Sequence, residues 1–190
     1  DYKGIVAIKS TVECGFTQSA IDQFNNLTLC FVPEFLRERC AMDDFISNHN
    51  LLAVGTHDKF VFDKIVEAHG HYPKDTARLK PTEAEILKYY NNVFAAYKII
   101  FANIMSEVCG KLNCDYTTVK DAFVKFGRCK DTYLDVNENL KGYGGMCLPK
   151  DVKAMTKLLE KLDIDFDTFK SIDSDNSKLK TTVFNGMRKQ

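Results

Sequence analysis

The chain has 190 residues, of which 45% are hydrophobic, so it can build one domain with a packed core or two small ones. Lys+Arg and Asp+Glu are both 26, for a formal net charge of +0. A balance of this kind gives no positive field for nucleic acid or an anionic membrane, and no apolar run in the sequence approaches the ~20 residues that span a bilayer.

Seven cysteines stand at 14, 30, 40, 109, 114, 129 and 147, and none forms a CxxC pair. An odd, scattered set fits free thiols in a reducing, cytoplasmic setting better than a disulfide framework. Of the four histidines, His69 and His71 make the one close pair, beside Gly70 and Pro73. They read as a polar loop, and no metal site is expected. The start of the chain carries no signal-peptide pattern. Asp1 leads almost at once into an apolar strand, which reads as a beginning cut from something longer or a truncated gene product.

Gly4 to Ile8 is a short continuous apolar run, as expected of a buried parallel strand. Ser10 and Thr11 follow. They are placed either for a ligand at the strand's carboxyl end or as a cap for a helix over 17–24. Leu27 to Val32 is the next strand. It runs into Pro33-Glu34-Phe35-Leu36-Arg37-Glu38, where two carboxylates flank an arginine: a solvated turn with a local ion pair, or part of a pocket. Leu51 to Gly55 is a third strand, and 59–68 is an amphipathic helix that stops at Gly70. Strands alternating with helices argue for a parallel sheet.

Residues 71–80 read as a polar connection. Thr82-Glu83-Ala84-Glu85 then reads as a capping box, with Thr82 as cap and Glu85 reaching back. A long helix follows to about residue 108. Lys88 and Asn92 share one of its faces, either in a pocket wall or on an exposed stripe. Its apolar surface, from Ile86 to Ile104, exceeds what one short partner covers, so a symmetric homodimer through this helix is expected. Asp115 caps a helix over 117–126 that ends at Gly127-Arg128. A polar loop leads to Gly142-Tyr143-Gly144-Gly145-Met146-Cys147-Leu148-Pro149-Lys150-Asp151. Here a thiol stands between a glycine-rich loop and a helix beginning near Pro149. The helix dipole and Lys150 favour its thiolate. The reading is a nucleophilic Cys147 beside a bound anion, or a buried cysteine at a tight turn. The last segment, from about 167 to 183, reads as a solvated helix.

The run from Gly142 to Asp151 resembles the catalytic-cysteine motif of the UDP-glucose/GDP-mannose dehydrogenase family, with Met146 where that family usually has a small residue. Four other stretches are similar to the same family: Ser10-Thr11-Val12, Pro33 to Glu38, Glu83 to Asn92 with Asn103 beyond, and Arg128. The resemblance implies NAD-dependent oxidation of a nucleotide-sugar alcohol to a carboxylate, UDP-glucose being the favoured UDP-sugar. It implies Cys147 as nucleophile, Lys88 and Asn92 as oxyanion donors, Glu34 as base for thioester hydrolysis, and Thr11 and Asp151 as holders of a water. It further implies Phe35, Leu36, Glu38, Arg128, Gly142, Gly144, Gly145 and Lys150 around the sugar, with Ser10, Thr11 and Glu38 toward NAD. The implied fold is α/β followed by all-α. Residues 1–79 would be the end of a doubly wound, Rossmann-like sheet, and 80–190 a helical dimerisation domain. No GxGxxG turn follows a strand here, so this chain by itself is expected to bind no NAD and to be inactive. The alternative is a non-catalytic dimerisation or regulatory module derived from such an enzyme.

Overall fold

The computed structural model describes residues 3–37 and 40–179. The elements run β1 (Ile5–Ile8), α1 (Phe16–Gln23), β2 (Thr28–Phe31), α2 (Ala41–Ser47), β3 (Leu52–Gly55), α3 (Lys59–His69), β4 (Thr76–Leu79), α4 (Pro81–Lys111), α5 (Tyr116–Lys125), α6 (Leu148–Lys161) and α7 (Thr168–Lys178). They form two compact units, Asp1–Tyr90 and Asn91–Gln190, divided within α4.

The first unit is built on a four-stranded sheet in the order β1-β2-β3-β4. β1 and β2 are parallel, as are β3 and β4. A single antiparallel step, Phe31 opposite Gly55, joins the two pairs, so the sheet is mixed. Cys30, Val32, Leu52, Val54 and Val61 form its core, with Ile65 and Val66 of α3 packed against them. β1 lies at the edge of the sheet and Val6 is exposed, against the expectation of a strand buried on both faces. β4 falls inside 71–80, which the sequence presents as a polar connection. Its burial alternates, the mark of an edge strand with one wet face. Asp58 caps α3 by accepting the Phe60 N–H at 2.7 Å, and the helix stops at Gly70 as expected. Gly55 ends β3 where a Cβ would meet Ala84 Cβ at 2.8 Å and Pro81 Cα at 3.0 Å, so the first turn of α4 rests on bare backbone.

The start of α4 differs from the expected capping box. Pro81 is the first helical residue, and Glu83 accepts the Lys80 N–H at 2.8 Å. The back-reaching half of the box is therefore set two residues earlier, and no hydroxyl cap completes it. Glu85, freed from that duty, is fully buried and bonds elsewhere. Its carboxylate accepts the Gly15 N–H at 2.5 Å and the Thr17 N–H at 2.8 Å. It thus satisfies the first turn of α1, which has no cap side chain of its own. Ser10 and Thr11 do not cap that helix.

By length and composition α4 is apolar enough to cross a membrane. The residue-by-residue reading missed this because Lys88, Asn91, Asn92, Lys98 and Asn103 interrupt the apolar run. Glu85, Asn92 and Asn103 on this helix are buried and bonded to protein groups, while 39% of its most apolar stretch is buried.

The second unit packs α4, α6 and α7 around Val93, Ala96, Ile100, Tyr143, Val152 and Ile172. Asp115 caps α5 through the Thr117 and Thr118 N–H groups, as its position predicts. Lys120 of α5 is held by Asp121, Asp131 and Asp135, which ties the following loop to the helix and holds its ammonium above the ordinary lysine range, chiefly through the Asp135 bond. α7 is the helix expected and is exposed along much of its length, but Ile172 is in the core and Asn176 bonds across to the glycine loop; residues 180–183 of the expected segment lie outside the described residues.

Candidate active site

The sequence-predicted site residues fall into two groups, one in each unit. In the first unit, β2 delivers Pro33 to Arg37. Glu34 turns its Oε1 back on its own loop and accepts the Phe35 and Leu36 N–H groups at 2.9 and 3.1 Å. Its Oε2 lies 3.2 Å from Lys9 Nζ. Partial burial alone would raise the Glu34 carboxyl; the Leu36 N–H, Lys9 and the Phe35 N–H outweigh it and hold the carboxyl below its ordinary range. Lys88 donates its Nζ to the Glu34 carbonyl and lies 5.5 Å from the Phe35 ring centroid. Glu34, Phe35 and Lys88 are thus brought together.

Arg37 pairs with buried Asp44, through Nε at 2.9 Å and Nη2 at 2.6 Å. That bidentate bond holds Asp44 well below the usual carboxylate range. Ser10 is exposed and Thr11 half-buried, both just past β1. Glu38 lies outside the described residues.

In the second unit, Cys147 is the N-cap residue of α6 and is exposed. Pro149 sits in the first turn, where its missing N–H costs nothing. Asp151 donates its N–H to the Cys147 carbonyl at 3.2 Å, one turn on. Its carboxylate, 1% exposed, accepts Asn92 Nδ2 at 2.6 Å and Lys150 Nζ at 2.6 Å. Asn92 comes from α4 and is itself 5% exposed. A thiol, a buried carboxylate, a buried amide and an ammonium thus meet at one helix start. Arg128 is exposed, with its guanidinium 5.0 Å from the Phe126 ring centroid.

The glycine loop is held from both sides. Gly142 and Gly145 adopt φ of +75° and +76°, where side chains with a Cβ are strained. Asn103 of α4 accepts the Gly142 N–H at 3.4 Å. Asn176 of α7 accepts the Tyr143 N–H at 2.8 Å and donates to the Tyr143 carbonyl at 2.9 Å. The Tyr143 ring is buried in the core and its hydroxyl lies 3.4 Å from Asp173. Burial, reinforced by Asp173, holds that phenol well above its ordinary range. A cavity of about 670 Å³ lies against this loop, lined by Gly144, Met146, Lys150, Lys153, Asp173 and Asn176 among others. Asn176 was not singled out from the sequence. The available signal was its position four residues after Ile172, which puts an amide on the apolar face of α7. Among the described residues, no group of three or more His, Cys, Asp or Glu is placed to hold a metal ion.

A thiol at a helix cap, with a glycine loop and a buried Asp–Asn pair, thus follows an α/β unit in one chain. Residues 82–178 match the central domain of the UDP-glucose/GDP-mannose dehydrogenase family. The chain is 28% identical over 179 residues to the UDP-glucose 6-dehydrogenase of Rickettsia prowazekii, covering 90% of this chain and 40% of that one. It is 31% identical over 149 residues to the GDP-mannose 6-dehydrogenase of Pseudomonas aeruginosa, covering 76% and 33%. The fold matches a UDP-glucose dehydrogenase from Pyrobaculum islandicum with a TM-score of 0.81 and 29% identity, over 92% of this chain and 41% of that one. The chain belongs to the UDP-glucose/GDP-mannose dehydrogenase family, a family of oxidoreductases. It spans about two fifths of the length of the curated relatives it matches.

Proposed function

We propose that the protein takes part in oxidising the C6 alcohol of a nucleotide sugar to the carboxylate, with UDP-glucose as substrate and UDP-glucuronate as product. The observation that carries this is the exposed Cys147 at the cap of α6 with buried Asp151 one turn on, held by Asn92. The likeness to relatives named UDP-glucose 6-dehydrogenase favours that substrate. GDP-mannose is the second reading, from the Pseudomonas relative.

The chemistry NAD would supply when bound is acceptance of one hydride from C6 per molecule, so two NAD in succession are needed for each carboxylate formed. Ser10 and Thr11 stand past the carboxyl end of β1, where open α/β sheets take ligands, and would hold NAD; Glu38 is assigned to it by the family resemblance alone. Residues 1–190 contain no GxGxxG turn, so the pyrophosphate cradle does not come from them. By themselves they are expected to bind NAD too weakly to measure and to turn nothing over.

The chain's own residues divide the work as follows. A water held by Thr11 and Asp151 takes the hydroxyl proton as the alcohol becomes an aldehyde, the Asp151 carboxylate being the base of the pair. Cys147 thiolate adds to the aldehyde carbon to give a thiohemiacetal, and loss of the second hydride leaves a thioester. Lys88 and the second N–H of the Asn92 amide donate to the oxyanion, each worth about 3–4 kcal/mol in a dry site. Glu34 accepts a proton from the water that hydrolyses the thioester. Phe35, Leu36, Arg128, Lys150 and the backbone of Gly142, Gly144 and Gly145 border the sugar nucleotide.

Three further assignments belong to this reading. Phe94, Tyr97, Phe101, Ile104 and Val108 are exposed on α4 at spacings of three and four, a stripe suited to a second copy of the helix. The free thiols fit a cytoplasmic site, and residues 1–79 and 80–190 are assigned to the nucleotide-binding and helical domains.

The test is NADH formation from UDP-glucose and from GDP-mannose, by residues 1–190 and by the full gene product. Turnover by the full product that stops with Cys147→Ser supports the reading. Turnover that survives Cys147→Ser removes Cys147 from the chemistry. Turnover by residues 1–190 alone overturns the expectation that they are inert.

A further inference from the structure

Nothing in the chemistry above uses α7, yet α7 reaches the loop that carries the thiol. Asn176 meets both the N–H and the carbonyl of Tyr143 with one side chain, at 2.8 and 2.9 Å. A two-point bond of this kind fixes the peptide planes on both sides of Tyr143, as strand pairing does. Gly142 makes room for it: a Cβ there would stand 2.4 Å from Asn176 Oδ1 and 2.7 Å from Leu179 Cδ1. The clasp is thus one of close contact, and a methyl group on either partner would open it.

Asn176 is itself fixed. Ile172, one turn earlier, is in the core, and the Asn176 carbonyl accepts the Leu179 N–H. The loop is therefore pinned at Tyr143, and four residues later Cys147 is pinned as the cap of α6. Between the two pins, Gly145 has nothing within 4 Å of where its Cβ would be. The span is short and glycine-rich, so its conformation depends on its ends.

We propose that Asn176 is a positioning residue for the Cys147 thiol, acting through the Tyr143 peptide without touching the sulfur. The proposal rests on the reading of Cys147 as the reactive thiol. The chemistry calls for asparagine: aspartate lacks the N–H that the Tyr143 carbonyl accepts, and would stand near Asp173 and Asp175. Glutamine carries the amide one methylene too far to meet both groups.

The experiment measures alkylation of each cysteine by iodoacetamide from pH 6 to 10, with mass mapping, in the wild-type protein and in Asn176→Ala, Asn176→Asp and Gly142→Ala. Exposed Cys114 and buried Cys109 serve as internal references. Misplacement of a reacting group by about 1 Å can cost up to ~100-fold, and we expect the Cys147 rate near pH 7 to fall by about tenfold, with an altered pH profile, in all three variants. Cys114 and Cys109 are expected to keep their rates. An unchanged Cys147 profile in Asn176→Ala overturns the proposal, and so does a parallel rise at Cys109, which would report loosening of the whole unit. Should the variants fail to fold, amide hydrogen exchange on the wild type decides: Tyr143 must be protected well beyond Gly144 and Gly145, and equal exchange at the three overturns the clasp. Failure of the functional reading shows separately, as a wild-type Cys147 no more reactive than Cys114.

Discussion

Glu85 serves as the helix cap of Thr17. The carboxylate comes from α4, 68 residues away in the chain, and meets the Thr17 N–H at 2.8 Å in a fully buried setting. Negative charge at a helix start is stabilised by the dipole as well as by the bond. Hydrogen bonds to a charged group contribute about 1.5–3 kcal/mol each. Glu85→Ala is expected to lower the stability of the first unit by about 2–3 kcal/mol, since Gly15 and Thr17 lose their acceptor together. Glu85→Gln keeps one acceptor and should cost about half as much. Urea denaturation followed by circular dichroism measures both. An alanine variant within 0.5 kcal/mol of wild type, roughly the scatter of a neutral surface change, would show that the cap is dispensable.

Asp151 and Asn92 are a buried pair, so removing one strands the other. Asp151→Ala leaves the Asn92 amide without its acceptor, a cost of about 1–3 kcal/mol. Lys150 is half exposed and can turn to water, so it adds little. Asp151→Asn supplies an acceptor again and should restore most of the stability. Equal melting of wild type and Asp151→Ala would contradict this account of the pair.

The pH response of Glu34 follows from its depressed pKa. A carboxyl held below the ordinary value of 4.5 in the folded chain contributes stability that is present above that value and lost as pH falls through the folded one. The carboxylate is well exposed, so the effect on stability is small and the useful readout is the group itself. Carbon-detected NMR should place the Glu34 titration below 4.5, and Lys9→Gln should move it upward. A Glu34 titration unaffected by Lys9→Gln would remove the ion pair as a cause.

Thiol reactivity should rank the cysteines by environment. Burial pushes Cys30 up to about 11, and burial with the nearby Glu85 charge pushes Cys14 up to about 11. Both are expected to stay protonated and slow to alkylate at pH 8, well behind exposed Cys147 and Cys114. Fast labelling of Cys14 at pH 8 would argue against its burial first, and against the Glu85 charge beside it second.

Association through α4 is tested with Phe101→Asp, a charge in the middle of the exposed stripe. Sedimentation at micromolar concentration should show a dimer for the wild type and a monomer for the variant. A wild type that sediments as a monomer, or a variant that remains dimeric, removes the stripe as the interface.

The resemblance-bearing motifs were legible because chemistry and local geometry coincide in them. The run from Gly142 to Asp151 holds its turn residues, cap and helix start within ten positions, and Asp115 and Gly70 bound their helices as read. What was not legible depends on partners distant in sequence. Thr82 and Glu85 have the spacing of a capping box, but the uncapped amides of Gly15 and Thr17 take the carboxylate. β4 is short and polar on one side, and only its pairing with β3 makes it a strand. Asn176 sits in a segment rich in Asp and Ser, and its use appears only when Gly142 lies beneath it.

Gly55 and Gly15 are both glycine, for opposite reasons, and a randomised library would tell them apart. At 55 the space is filled: Ala84, Pro81 and Phe31 leave no room for a carbon, so even alanine must lever the start of α4 off the sheet. At 15 the space is empty, and only the φ of +94° restricts the choice, a region that Asn and Asp also visit. Selection for folding should return glycine alone at 55 and a small mixture of glycine, asparagine and aspartate at 15. Two identical letters in the sequence thus carry different amounts of information, one about volume and the other about a single torsion.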